Sequence, residues 1–182
     1  MRDFTLHTYH QLLSTIQEQK YIFQTFAGFI KDPAPKCVIL RHDVNARKMN
    51  SLNCAKLENE LEITGTYYFR IDPESFNADV IKEIFDLGYE IGYHYEDLVT
   101  VRCNYELAIR LFEENLAKLR QVVPVETICM HGSPLSKFNN RNLWGKYNYR
   151  DYGIIGEPYF DIDFNKVLYL TDTGRRWYGE SV

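Results

Sequence analysis

The strongest constraint on this chain is an alternation. Between residues 37 and 132, four apolar runs (CVIL, TGTYYFRI, YEIGYHYE and VETICMHG) are separated by segments of helical character. The first run is continuous and reads as a strand buried on both faces. Residues 46–62 read as a polar helix. NADVIKEIFDLG places Val80, Ile81, Ile84 and Phe85 on an inward face and ends at Gly88. NYELAIRLFEENLAKLRQ repeats this with Ala108, Leu111, Phe112 and Leu119. Strand and helix in strict turn, with short links, specify a parallel β/α architecture. Right-handed crossovers bring the C-terminal ends of the strands to one side, where sites in such folds lie.

Around this core, TYHQLLSTIQEQ predicts an N-terminal helix with Tyr9, Leu12, Leu13 and Ile16 on one face, and DPAPK (32–36) is a breaker. GIIGEPY and KVLYLTD predict two further strands, joined to the core by a long polar and aromatic stretch.

The strand ends carry coherent chemistry. The first run closes on Arg41, His42, Asp43 and Asn45; the second on Arg70 and Asp72; the third on His94, Glu96 and Asp97; the fourth on His131 and Ser133; the last on Asp172, Arg175 and Arg176. Polar residues collect in loops in any case, but three of the five histidines stand at three of these ends. Side chains i and i+2 share a face of a strand. Asp43 and Asn45 therefore converge if the chain stays extended, as do His94 and Glu96. His42 has the opposite parity and reads as a packed residue. Two imidazoles with oxygen donors suit Zn²⁺ or a similar divalent ion, which activates water and polarises a carbonyl.

Composition narrows the partners. The net charge is −4 and no Lys/Arg run stands out, which argues against a nucleic-acid surface. No apolar stretch is long enough to span a membrane, and MRDFTLHTYHQLL lacks the pattern of a secretory signal. Four scattered cysteines (Cys37, Cys54, Cys103, Cys129) without a Cys-x-x-Cys read as free thiols in a reducing cytoplasm. Fourteen tyrosines and eleven phenylalanines suit a core that also lines a polar cleft. Trp144 and Trp177 read as packing anchors first, and Gly132-Ser133-Pro134 as a tight turn.

Four segments resemble the motifs of the polysaccharide deacetylase superfamily. LRHDVN resembles the first, a strand ending in an Asp with a second Asp close behind. LGYEIGYHYEDL resembles the second, which leads into a histidine pair. TICMHGSP occupies the place of the third, and TDTGRRW more loosely that of the fourth. The resemblance spans about residues 37–177 and is most specific at 87–94. It implies a distorted or incomplete (β/α) barrel over residues 37–182, lacking its last β/α unit, with residues 1–36 as a helical and extended segment packed on it. It further implies metal-dependent cleavage of an acyl C–N or C–O bond on a sugar or small polar substrate, within carbohydrate metabolism.

In that chemistry the first Asp acts as base and the second Asp and two histidines hold the metal. Asp43 matches the base and His94 the first histidine. The chain departs from the pattern elsewhere: Asn45 stands where the metal-binding Asp is expected, Leu98 stands in place of the second histidine, and the closing Leu-x-x-His has no counterpart. Glu96 and His131 are the replacement ligands on this reading, and Asp43 becomes a ligand too. Arg41, Arg70, Tyr93, Asp172 and Arg175 would position the substrate. The competing expectation is a carbohydrate-binding relative that has lost the metal and the activity.

Overall fold

The structure, a computed structural model, describes residues 3–133 and 136–172. Strands β3 (Arg41–Val44), β4 (Thr66–Phe69), β5 (Glu90–Tyr95) and β6 (Ile128–Met130) form a parallel sheet in the order β3-β4-β5-β6. Sequential parallel order is that of a β/α barrel, and here the sheet curls into a half-barrel. A separate parallel pair joins β1 (Ile22–Gln24) to β2 (Cys37–Ile39).

Helices α3 (Lys48–Glu60), α4 (Ala78–Asp86) and α6 (Tyr105–Arg120) pack on the convex face. Their starts and stops follow local chemistry. Asn77 and Asn104 cap α4 and α6 by accepting from Val80 N–H and Leu107 N–H. Gly88 leaves α4 at φ +95°, a conformation a side chain would resist. The main core is the interleaving of Tyr67, Phe69, Ile91, Tyr93, Tyr95 and Ile128 with Leu52, Ile81, Ile84, Phe112 and Leu116 from the helices. Trp144 packs there as an anchor, in ring contact with Tyr95, Phe112 and Tyr149.

The concave face holds a second, smaller core of Phe26, Tyr68 and Cys129. Phe26 opens the short helix α2 (Phe26–Lys31), whose first free amides are fixed by the sheet floor. Phe26 N–H donates to Thr66 Oγ1 and Ala27 N–H to Glu90 Oε2, each at 2.8 Å. The N-terminal helix α1 (Leu6–Glu18) packs against α3.

Several expectations are corrected. CVIL is not one doubly buried strand: β2 ends at Ile39, its residues are half-buried, and pairing passes from β1 to β4 across Leu40. Phe85 is 37% exposed and Leu111 half-buried, the inward face of α6 being completed by Ile109 and Leu116. GIIGEPY contributes a single parallel bridge, Thr127 to Gly156. Pairing stops there because Pro158 opens the helical turn α7 (Pro158–Asp161), and the Glu157 side chain, instead of a backbone carbonyl, accepts from Met130 N–H. Residues 166–170 form no strand, although Val167 and Tyr169 are half-buried and Leu168 and Leu170 exposed, as an extended segment requires. Among the described residues no helix is long and apolar enough to cross a membrane.

Candidate metal-binding site

Strand parity sorts the side chains. Arg41 and Asp43 on β3, Tyr68 on β4, Gly92 and His94 on β5 and Cys129 on β6 share the face opposite the helix-covered core. Arg70, Glu96 and His131 continue this row just past the strand ends. Gly92 is required by the crowding: a Cβ there would meet Tyr68 Cε1 at 2.2 Å. Its absence lets the Tyr68 ring lie across β5 and fill the floor beneath the site.

Above that floor, Asp43, His94 and Cys129 each offer one ligand atom, all within 4.8 Å of one another. The group could hold a metal ion. Two details of the donor set fit one. His94 Nδ1 lies 3.0 Å from the Cys129 carbonyl, which can only accept, so Nδ1 carries the proton and Nε2 offers its lone pair to the site. Asp43 Oδ1 is buried with no hydrogen-bond partner among the described residues, a state that costs free energy unless something occupies it. Asp43 Oδ2 takes 3.1 Å contact with Arg41 Nη2 and lies 3.9 Å from His94 Nε2.

Burial pushes the His94 pKa down to about 4, outweighing the pull of Asp43, so the imidazole is neutral at pH 7, as a ligand must be. Burial also lowers the His131 pKa, with Arg70 adding to the effect, and raises that of the Cys129 thiol, with Asp43 adding to it. His131 Nδ1 stands 3.2 Å from His94 Nε2, and its Nε2 faces Glu96 Oε2 at 3.8 Å. Buried Asn140 sets this edge, its Nδ2 donating to the His131 carbonyl and its Oδ1 accepting from Val99 N–H.

The expected residues divide accordingly. Asp43, His94, Glu96 and His131 do gather at one rim. Glu96 is held by Arg70, through Nε at 2.9 Å and Nη2 at 2.5 Å, and stands beside His131 outside the three-residue ligand group. Arg70 is thereby engaged, with Asp72 also 3.1 Å from its Nε. Asn45 does not join Asp43. Its N–H bonds back to the Asp43 carbonyl at 3.0 Å, the extended chain ends in that turn, and the residue is exposed.

Tyr93 is no substrate contact. It has the opposite parity from His94, is buried against Phe112, and its hydroxyl donates to Asp97. Asp172 is exposed, and its charge acts on Cys54 of α3. Arg175, Arg176 and Trp177 lie outside the described residues. His42 is packed, as its parity requires, stacked on Tyr67 and 2.8 Å from Glu58 Oε1.

Cys129 was missed as a candidate ligand. The clue lay in its spacing from His131, since i and i+2 share a face. Arg41 is flanked by Tyr159 and Tyr169, whose hydroxyls accept from its Nη2 at 3.3 and 3.0 Å.

The fold and rim together define a parallel β/α half-barrel with a three-residue ligand group at the C-terminal strand ends. No family profile, curated protein or solved structure matches the chain.

Proposed function

We propose that the protein is a metal-dependent hydrolase of the polysaccharide deacetylase kind, cleaving an acyl C–N or C–O bond on a sugar or small polar substrate. The observation that carries the reading is that Asp43, with an Oδ1 buried and unpartnered among the described residues, and a neutral His94 offer ligand atoms within 4.8 Å of each other and of Cys129. Mixed N, O and S donors favour Zn²⁺ over harder ions, with Asp43, His94 and Cys129 as the holding residues. A divalent ion there supplies Lewis acidity toward a carbonyl and toward water.

The protein's own groups do the rest. Asp43 serves as a ligand, since Arg41 already engages its other oxygen. His131, half-buried and held neutral, takes the role of proton acceptor, and Glu96 3.8 Å from its Nε2 stabilises the cation that results. The four unpaired cysteines fit a reducing cytoplasm.

Two observations favour a second reading, a carbohydrate-binding relative without activity: Arg41 pairs with Asp43, and Asn45 and Leu98 stand where the second Asp and second His are expected. Acetate release from a panel of N- and O-acetylated sugars by zinc-loaded protein separates the two. The hydrolase reading expects turnover that Asp43→Ala abolishes and that His131→Gln lowers by about 10² or more while the ion stays bound. No release from any member of the panel by the loaded protein leaves the binding relative.

A further inference from the structure

The rim carries a second device beside the ligand group. Arg41 Cζ lies 5.3 Å from the Tyr159 ring centroid and 5.4 Å from that of Tyr169. Arg141 Cζ lies 5.1 Å from the centroid of the same Tyr159 ring. One tyrosine is thus shared by two guanidinium groups, one from β3 and one from the 3₁₀ turn Asn140–Gly145. Asn140 holds that turn against the His131 carbonyl, so Arg141 belongs to the edge of the same rim.

The charges are not matched. Arg41 has Asp43 as partner, and all its hydrogen bonds among the described residues run through Nη2. Its Nε and Nη1 have no partner among these residues. Arg141 makes no ion pair among the described residues. The carboxylate within electrostatic reach of both arginines is Glu157, whose two oxygens already accept from Met130 N–H and Tyr159 N–H. Glu157 is also buried, which reduces its charge near neutral pH. Two cations against aromatic faces, matched among the described residues by the single Arg41–Asp43 ion pair, make a site for an oxyanion, which guanidinium groups grip by paired hydrogen bonds. Arg70 cannot serve, because Glu96 holds it.

The geometry points to an anionic substrate: a carboxylate or phosphate group seated on Arg41 and Arg141 across Tyr159, next to the ligand group at Asp43. The assignment of this anion to a substrate rests on the hydrolase reading, but the anion site itself does not need the metal. It is therefore tested on metal-free protein in EDTA, by calorimetric titration with inorganic phosphate, glucuronate and glucose, while zinc binding is measured separately.

Glucuronate, phosphate or both are expected to bind at least about tenfold more tightly than glucose, and to weaken with added salt. Which of the two wins tells carboxylated from phosphorylated substrates. Arg141→Gln is expected to remove about tenfold of that affinity, whereas Arg110→Gln on the exposed side of α6 leaves it unchanged. Equal binding of glucose and both anions, or equal effects of the two substitutions, overturns the proposal. Loss of zinc binding or turnover with anion preference intact strikes the hydrolase reading alone.

Discussion

His94 donates through Nδ1 to the carbonyl of Cys129, 3.0 Å away on the neighbouring strand. That bond fixes the ring's tautomer and aims Nε2 at the Asp43 side of the rim. It also ties one candidate ligand to the backbone of another, so the spacing of the group is set by the pairing of β5 with β6, where His94 stands opposite Cys129.

A histidine buried in this way should titrate late. Its pKa of about 4 lies below the unfolded value near 6.5, so on acidification the unfolded chain takes up the proton first. Through this group, stability falls as pH drops from about 6.5 to about 4 and levels off below, a loss of about 3 kcal/mol. Glu157, pushed up to about 7, and Asp97, pushed up to about 6, act with the opposite sign over an overlapping range. The clean readout is therefore the His94 ring itself. In metal-free protein its NMR titration is expected to have a midpoint near 4, and a midpoint at 6 or above contradicts the burial argument.

Gly92 should not tolerate alanine. The added methyl would collide with the Tyr68 ring and approach the Thr127 carbonyl at 3.1 Å, and both residues are fully buried. Overpacking of this kind costs about 1–3 kcal/mol or more, read as a lowered denaturant midpoint. Gly145→Ala, where a Cβ meets nothing within 4 Å, serves as the comparison and should cost much less.

Glu58 fastens the N-terminal helix to the barrel. The carboxylate is fully buried and accepts from Tyr9 Oη at 2.7 Å and Tyr67 Oη at 2.9 Å, with His42 Nε2 at 2.8 Å. Glu58→Ala strips three donors of one acceptor, and removing one partner of such a buried network costs about 3–5 kcal/mol. Hydrogen exchange should show residues 6–18 losing protection before β4 and β5 do. Protection of α1 equal to that of the unsubstituted protein would show that its apolar contacts hold it without this network.

The strand–helix alternation was legible because burial on one side of a parallel sheet imposes it. β4, β5, β6 and the three covering helices stand where apolar runs and helical spacing place them, whereas β3 (Arg41–Val44) begins only after the run CVIL, which pairs with β1 instead. The rim residues were legible for the same reason, once strand parity was applied. Asn45 escaped because parity holds only while the chain stays extended, and a turn at that residue ends it. Tyr93 escaped because its type suits a cleft as well as a core; its odd register against His94 decides for the core. The two C-terminal runs misled because apolar alternation specifies an extended segment, not a pairing partner. Glu157 and Pro158 end pairing of the first run at the Thr127–Gly156 bridge.

Isothermal titration of Zn²⁺ into EDTA-stripped protein tests the central claim most directly. The account predicts one equivalent bound at micromolar affinity or tighter, weakened about 10²-fold or more in both Asp43→Ala and His94→Ala, since each removes one of the three ligands found among the described residues. No binding at micromolar zinc, or binding that survives both substitutions unchanged, contradicts it.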